Sequence, residues 1–334
     1  MKLNNIKRLS KLFFHYKFRN RILPYMPLRA WLEPTNFCNL RCKVCPNSID
    51  TTSERGYMEY YFFCKIVDQL AGYVNDVNLS HRGESLFHPE IYRMVKYCSD
   101  KGIKTRIHSN ATQLNEEKSR KLIDSGLDLL SFSFDGFNKE TYEKIRVNAK
   151  FEETLSKITM FLKMKQKLGS KKPFTIIQVI ISDNYSESSK NRDEFMKIFE
   201  NLPLDRLYVK EAHNWGGNME TGTKCAAAKK GTFSMCTFLW YAITILWNGS
   251  VVPCPQDWFG KMVLGNLHNQ SLKEIWNDSP VFNIRTRMVT QNLDGILCET
   301  CDRPWRKQVL GIPVENAKTF LKEHVLGYSS LKTR

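Results

Sequence analysis

A chain of 334 residues, 42% hydrophobic and 25% charged, has room for one large domain and a smaller one and lies in the globular range. No run reaches the ~18 apolar residues of a membrane span, and the basic start lacks the apolar core and small-residue cleavage site of an export signal, so neither an integral membrane protein nor a secreted one is expected. The net charge of +16 favours anionic surroundings, and ten unevenly spaced cysteines point to reduced, metal-ligating thiols in the cytoplasm rather than to a disulfide framework.

Residues 1–28 form the first unit. Up to residue 30 the sequence holds Lys2, Lys7, Arg8, Lys11, Lys17, Arg19, Arg21 and Arg29 and no acid, half of the net charge. Ile6, Leu9, Phe13 and Tyr16, with Leu12 beside them, recur at helical spacing. A basic amphipathic helix at a membrane surface fits this pattern, and so does a helix packed on the outside of the main domain.

From residue 29 short apolar runs alternate with longer amphipathic ones. Strands are predicted at 30–33, 74–80, 104–109, 127–134, 174–182 and 206–210, and helices at 57–71, 89–101, 115–125, 151–168 and 192–201. Six strand–helix units fit an incomplete (β/α)6 barrel over 29–215, whose chemistry would sit at the C-terminal ends of the strands. After His213-Asn214-Trp215-Gly216-Gly217 the alternation stops. A smaller cysteine-bearing domain is expected over 216–312, and a C-terminal helix and tail over 313–334. The run 238–247 reads as a buried strand, and its part 242–247 as the first arm of a hairpin that turns at Asn248-Gly249 into 250–253, with helices near 272–276 and 280–289.

Directly after the first strand stands Cys38-Asn-Leu-Arg-Cys42-Lys-Val-Cys45. A structural zinc site takes four protein ligands, and no fourth Cys or His lies nearby. A four-iron cluster on three thiolates instead leaves one iron open to an external ligand. This CxxxCxxC at the end of a first strand resembles the radical S-adenosylmethionine superfamily. The resemblance implies that the open iron of a [4Fe–4S] cluster binds the methionine moiety of S-adenosylmethionine, whose reductive cleavage yields a 5′-deoxyadenosyl radical. It also implies a low-potential electron donor such as flavodoxin or ferredoxin.

Three further segments extend the likeness over roughly residues 29–210. His81-Arg82-Gly83-Glu84-Ser85 is similar to the family's GGEP segment, with Arg82 in place of Gly and Ser85 in place of Pro; Glu84 is then the acceptor for the cofactor's ammonium. Ser109-Asn110-Ala111 is similar to the TNG segment, and Ser131-Phe-Ser133-Phe-Asp135-Gly136 ends the fourth strand. By resemblance Ser109, Ser133 and Asp135 line the ribose or carboxylate side of the cofactor.

Cys236, Cys254, Cys298 and Cys301 form a second set, whose ligand count alone suits either a closed cluster or structural zinc. The C-x12-G-x4-C start resembles the SPASM/Twitch extension of the same superfamily. No cysteine follows Cys301, which favours one auxiliary [4Fe–4S] cluster as in the Twitch form. Cys64 and Cys98 fall in predicted helices and read as core thiols. Cys225, in the connecting stretch, is a candidate hydrogen-atom donor.

The four-thiolate spacing resembles that of 2-deoxy-scyllo-inosamine dehydrogenases. That favours dehydrogenation of a secondary alcohol on a sugar, cyclitol or nucleotide sugar, with radical epimerisation as the alternative and peptide or protein maturation as a further one. A nucleic-acid-binding metalloprotein has only the charge in its favour. His213, Arg82 and Arg285 are candidate polar contacts to substrate.

Overall fold

The β-branched and aromatic runs pair side by side because each is bracketed by helices that cover the outer faces of a parallel sheet. The computed structural model describes residues 2–181, 189–220, 233–305, 308–309, 312–313 and 321–332. Helix α1 (Lys2–Lys17) precedes β1 (Arg29–Leu32), β2 (Asp76–Asn78), β3 (Lys104–Ser109), β4 (Leu129–Ser133), β5 (Phe174–Ile181) and β6 (Arg206–Glu211). Each of these strands lies parallel to the next, as in a partial barrel. The crossovers are α2 (Tyr60–Leu70), α3 (Ile91–Asp100), α4 (Glu116–Asp124), α5 (Lys139–Ile145) with α6 (Phe151–Lys167), and α7 (Ser189–Lys197). Strand β3 shows the two-residue period at work: Thr105, Ile107 and Ser109 are buried, whereas Arg106 and His108 face the lumen. Helix α5, too short to show a helical period in the sequence, is started by Asn138, whose side chain accepts the Thr141 N–H.

The run 238–247 is not one strand. Its first four residues make a helical turn, α8 (Phe238–Tyr241), and the strand proper is β7 (Ala242–Ile245). The turn buries Phe238, Leu239, Trp240 and Tyr241, and β7 after it is buried at all four positions, so continuous burial alone does not tell this helical turn from the strand that follows. Strand β7 pairs parallel with β1, from Arg29↔Ala242 to Leu32↔Ile245. Strands β8 (Ser250–Val252) and β9 (Gly265–Asn266) then add antiparallel, so one nine-stranded sheet runs across position 215. At the hairpin, Gly249 has φ +82°, and a Cβ there would stand within 3 Å of His268, Asn266 and Phe62. Helices α9 (Leu272–Asn277) and α10 (Ser279–Thr290) follow.

Helix α1 lies against the body through Leu12 and Tyr16, both buried. The Tyr16 hydroxyl donates to the Met235 carbonyl at 2.6 Å, and the Arg8 guanidinium to Asn75 Oδ1 at 2.8 Å. The expected apolar face is divided: Leu9 joins Leu12 and Tyr16 inward, while Ile6 and Phe13 are exposed. Beneath the barrel, a π-helical turn (Leu321–Leu326) brings Glu323 to Arg29 and Arg106, 2.6 Å from each. Among the described residues no helix is long and apolar enough to cross a membrane.

Candidate active site

The Cys38–Cys45 loop hangs from the C-terminal end of β1 and is pinned at several points. Arg41 and Lys43 donate their N–H groups to the carbonyls of Val147 and Ile145, Asn47 Nδ2 reaches the Leu40 carbonyl across the loop, and Trp215 Nε1 donates to the Val44 carbonyl at 3.0 Å. The three thiols line one cavity of about 330 Å3 at the barrel mouth. Burial pushes the Cys42 thiol up to about 11, and Cys38 and Cys45 also lie above the usual thiol range for the same reason. Metal binding is what would hold such buried thiols as thiolates. Among the described residues no three His, Cys, Asp or Glu side chains converge on a point that could hold a single metal ion. The three thiols line one space, and three thiolates suit a four-iron cluster with one iron left open.

Glu84 stands beside them. Its N–H donates to the Phe37 carbonyl at 2.8 Å, next to Cys38. Its carboxylate accepts from Ser109 Oγ at 2.9 Å, the Asn110 N–H at 2.6 Å and the Leu86 N–H at 3.1 Å. Burial raises its pKa, and these hydrogen bonds only partly offset the rise. Gly83 keeps the loop close: a Cβ there would meet the Thr35 carbonyl oxygen at 2.4 Å and that of Phe37 at 2.7 Å.

Arg82, the departure from the GGEP pattern, is taken up by Glu33 at the end of β1. Its Nε and Nη2 donate to the two carboxylate oxygens at 2.6 and 2.7 Å, and Nη1 reaches the Trp258 carbonyl at 3.3 Å. Burial alone would raise the Glu33 carboxyl, but the hydrogen bonds from Arg82, with His81 3.5 Å away, outweigh it and hold the group at about 2. Arg82 is thus committed to structure, although it touches the cavity wall.

The other predicted residues divide. Ser133 and Asp135 line the cavity; Asp135 accepts the Ile180 N–H at 2.8 Å and pairs with Arg146 at 3.0 Å. Ser109 does not open onto it, since its hydroxyl is spent on Glu84 and on the Ala111 N–H. Arg285 is remote: helical spacing puts it on the inner side of α10, where it donates to the Leu239 and Arg21 carbonyls and lies over the Trp276 ring. His213 lines the cavity, 2.7 Å from Arg303. Cys98 is fully buried and Cys64 half-buried, while Cys225 lies outside the described residues. Sequence reasoning missed Arg146, Gln256, Trp258 and Arg303, which carry no local motif.

Cys236, Cys254, Cys298 and Cys301 together line one small pocket, with Phe238, Leu239 and Met262 among the apolar groups around it. The field of the other three thiols adds to burial in raising Cys254, and burial pushes Cys298 up to about 12. The strap after β6 clamps this turn: Asn214 Nδ2 donates to the Thr300 carbonyl, and Thr300 Oγ1 to the Gly216 carbonyl, each at 2.7 Å. Phe238, Gln256 and Arg303 line both this pocket and the large cavity.

A family model described as the radical SAM superfamily matches residues 32–187, and one described as an iron–sulfur cluster-binding domain, SPASM, matches residues 236–302. The chain belongs to the radical S-adenosylmethionine superfamily. Members of that superfamily use S-adenosylmethionine and a [4Fe–4S] cluster, and the SPASM region brings an auxiliary cluster. This radical S-adenosylmethionine protein is 25% identical over 316 residues to the tungsten-containing aldehyde ferredoxin oxidoreductase cofactor-modifying protein of Pyrococcus furiosus, covering 81% of this chain and 86% of that one. It is 30% identical over 174 residues to an AdoMet-dependent heme synthase of Methanosarcina barkeri, 52% of this chain but only 46% of the relative. To the S-adenosyl-L-methionine-dependent 2-deoxy-scyllo-inosamine dehydrogenase of Niallia circulans it is 21% identical over 277 residues, 81% and 91% of the two chains. Among solved structures, SuiB of Streptococcus suis bound to its precursor peptide SuiA superposes with a TM-score of 0.65 at 17% identity, over 84% of this chain and 71% of that one. BtrN in complex with AdoMet and 2-DOIA gives 0.55 at 16% identity, over 87% and 96%. Likeness at these identities establishes the fold.

Proposed function

We propose that this radical S-adenosylmethionine enzyme dehydrogenates a secondary alcohol of a small polar substrate, a sugar, cyclitol or nucleotide sugar. In this reading Cys38, Cys42 and Cys45 hold the cofactor-binding cluster, and Cys236, Cys254, Cys298 and Cys301 hold one auxiliary cluster. When bound, these groups supply a 5′-deoxyadenosyl radical to take a substrate hydrogen and an acceptor for the electron left behind. The chain's own part is placement. Glu84 offers its carboxylate to the cofactor's ammonium, and Asp135, held by Arg146, presents a fixed polar wall. His213, Arg303 and Gln256 contact substrate, and the buried Trp258 helps keep the site dry. A low-potential donor such as flavodoxin or ferredoxin supplies the reducing electron.

The observation that carries this reading is the shared wall: Phe238, Gln256 and Arg303 line both cysteine pockets. An oxidised substrate radical placed there adjoins an electron acceptor, which a two-electron oxidation needs. Mass spectrometry of turnover in heavy water, with a panel of sugars and cyclitols, tests it. A ketone product two hydrogens lighter supports dehydrogenation. An isomeric product one mass unit heavier through a single carbon-bound deuterium, and not formed by Cys225→Ala, would replace it by epimerisation, and modification of peptides alone would exclude both.

A further inference from the structure

We propose that the outward face of α1 and the turn after it is a docking site for an anionic lipid bilayer. The inward arc of this helix is already used by Leu9, Leu12 and Tyr16, with Arg8 bonded to Asn75. At 100° per residue the opposite arc, about 160° wide, carries Ile6, Phe13 and Phe14, then Phe18 in the continuing turn, interleaved with Lys7, Lys11 and Lys17. The apolar members are not covered by the fold: their exposure runs from 44% for Ile6 to 66% for Phe18, and Ile22 just beyond is 64% exposed. Phe14 and Phe18 have ring centroids 4.4 Å apart and form one continuous aromatic surface.

Charge decides the occupant. Lys7, Lys11, Lys17, Arg19 and Arg21 are exposed on this segment, and the first 30 residues contain no Asp or Glu, while Arg29 is buried against Asp76 and Glu323. A second copy of the chain would bring the same charge to the same face, so self-association through it is opposed. An anionic bilayer offers a negative surface to the lysines and an apolar layer for the rings, which is the arrangement of interfacial helices. The helix is also fixed in orientation: besides the Tyr16 bond to Met235, Trp240 Nε1 donates to the Asn20 carbonyl at 2.9 Å. Its apolar arc is therefore presented outward without first paying for helix formation.

The test is co-sedimentation of the full-length, anaerobically reconstituted protein with vesicles of phosphatidylcholine alone or mixed equally with phosphatidylglycerol. Binding to the mixed vesicles and little to the neutral ones is expected. The Phe14→Ala/Phe18→Ala protein keeps every charge, and its affinity for mixed vesicles should fall by at least about tenfold as two buried rings are lost. Its dithionite-driven cleavage of S-adenosylmethionine should stay at the wild-type rate, which shows that it has folded. Unchanged vesicle binding by this variant would mean charge attraction alone and would overturn the proposal. So would a dimer in the absence of lipid that the two substitutions dissolve, or tighter retention by single-stranded RNA than by vesicles with the same loss in the variant.

Discussion

Glu33→Gln removes one charge from a site that water does not reach. Glu33 is fully buried and accepts from Arg82 twice, from the Trp247 N–H at 3.0 Å and from the Arg82 N–H at 3.3 Å, with His81 Nδ1 at 3.5 Å. The substitution keeps the shape and takes away the counter-charge that Arg82 is bonded to, leaving only the more distant Asp50 and Asp257, which costs up to about 3–5 kcal/mol. The pH dependence gives a second figure. A carboxyl held at about 2 in the folded chain, against about 4.3 when unfolded, contributes stability that is fully present above the unfolded value and is lost as pH falls through the folded one. That difference corresponds to about 3 kcal/mol, in line with the first figure. Urea unfolding under nitrogen, followed by tryptophan fluorescence, should show the loss at neutral pH. In metal-free protein the gap to wild type should close between about pH 5 and pH 2. Glu33→Leu with Arg82→Met, which strands no charge, should recover most of it. A loss below about 1 kcal/mol for Glu33→Gln, or no recovery in the double variant, would refute the account of why Arg stands at position 82.

Reconstituted protein should bind about eight iron atoms, and replacing Cys38, Cys42 and Cys45 by Ala should leave roughly half, with no cofactor cleavage; stoichiometric zinc without iron absorption would contradict this. Glu84→Gln should keep its iron but bind S-adenosylmethionine about 10- to 100-fold more weakly in equilibrium dialysis. Because burial raises the Glu84 carboxyl and an ammonium partner favours its charged form, wild-type affinity should rise with pH through the acid range while that of Glu84→Gln stays flat. Cys254→Ala should still release 5′-deoxyadenosine on reduction yet form no ketone, as chromatography of the quenched reaction would show.

Local chemistry was legible in the sequence and distant pairing was not. The 104–109 strand and the 151–168 helix were readable because each repeats its period over six residues or more, and the two cysteine sets because their spacing is itself the signal. Helix α5 has only seven residues, fewer than two periods of an apolar stripe. Arg82 looked like a substrate contact because its partner lies 49 residues earlier, and Trp215 looked like part of a linker because its indole meets a carbonyl 171 residues away. The spacing of Val281, Ile284 and Met288 marks Arg285 as inward, but its carbonyl partners, on Leu239 and Arg21, lie 46 and 264 residues away and were not legible. The apolar face of α1 was readable, but not its division, because which arc faces inward depends on Trp240 and Met235 far along the chain.

The parallel pairing of β7 with β1 also bears on how the chain is made. Strand β1 emerges early in synthesis, but its second neighbour is not complete until residue 245. During the interval the six-stranded sheet has a buried-type strand at its open margin, with Ala30 and Leu32 ready to pair with any extended segment nearby. Vectorial folding therefore cannot finish the barrel before the auxiliary region begins, and a ribosome pausing between residues 215 and 240 would hold a sticky half-product. Heterologous expression of the first 215 residues alone should yield inclusion bodies rather than a smaller enzyme, and cleavage of the finished protein near that point should leave both pieces bound together.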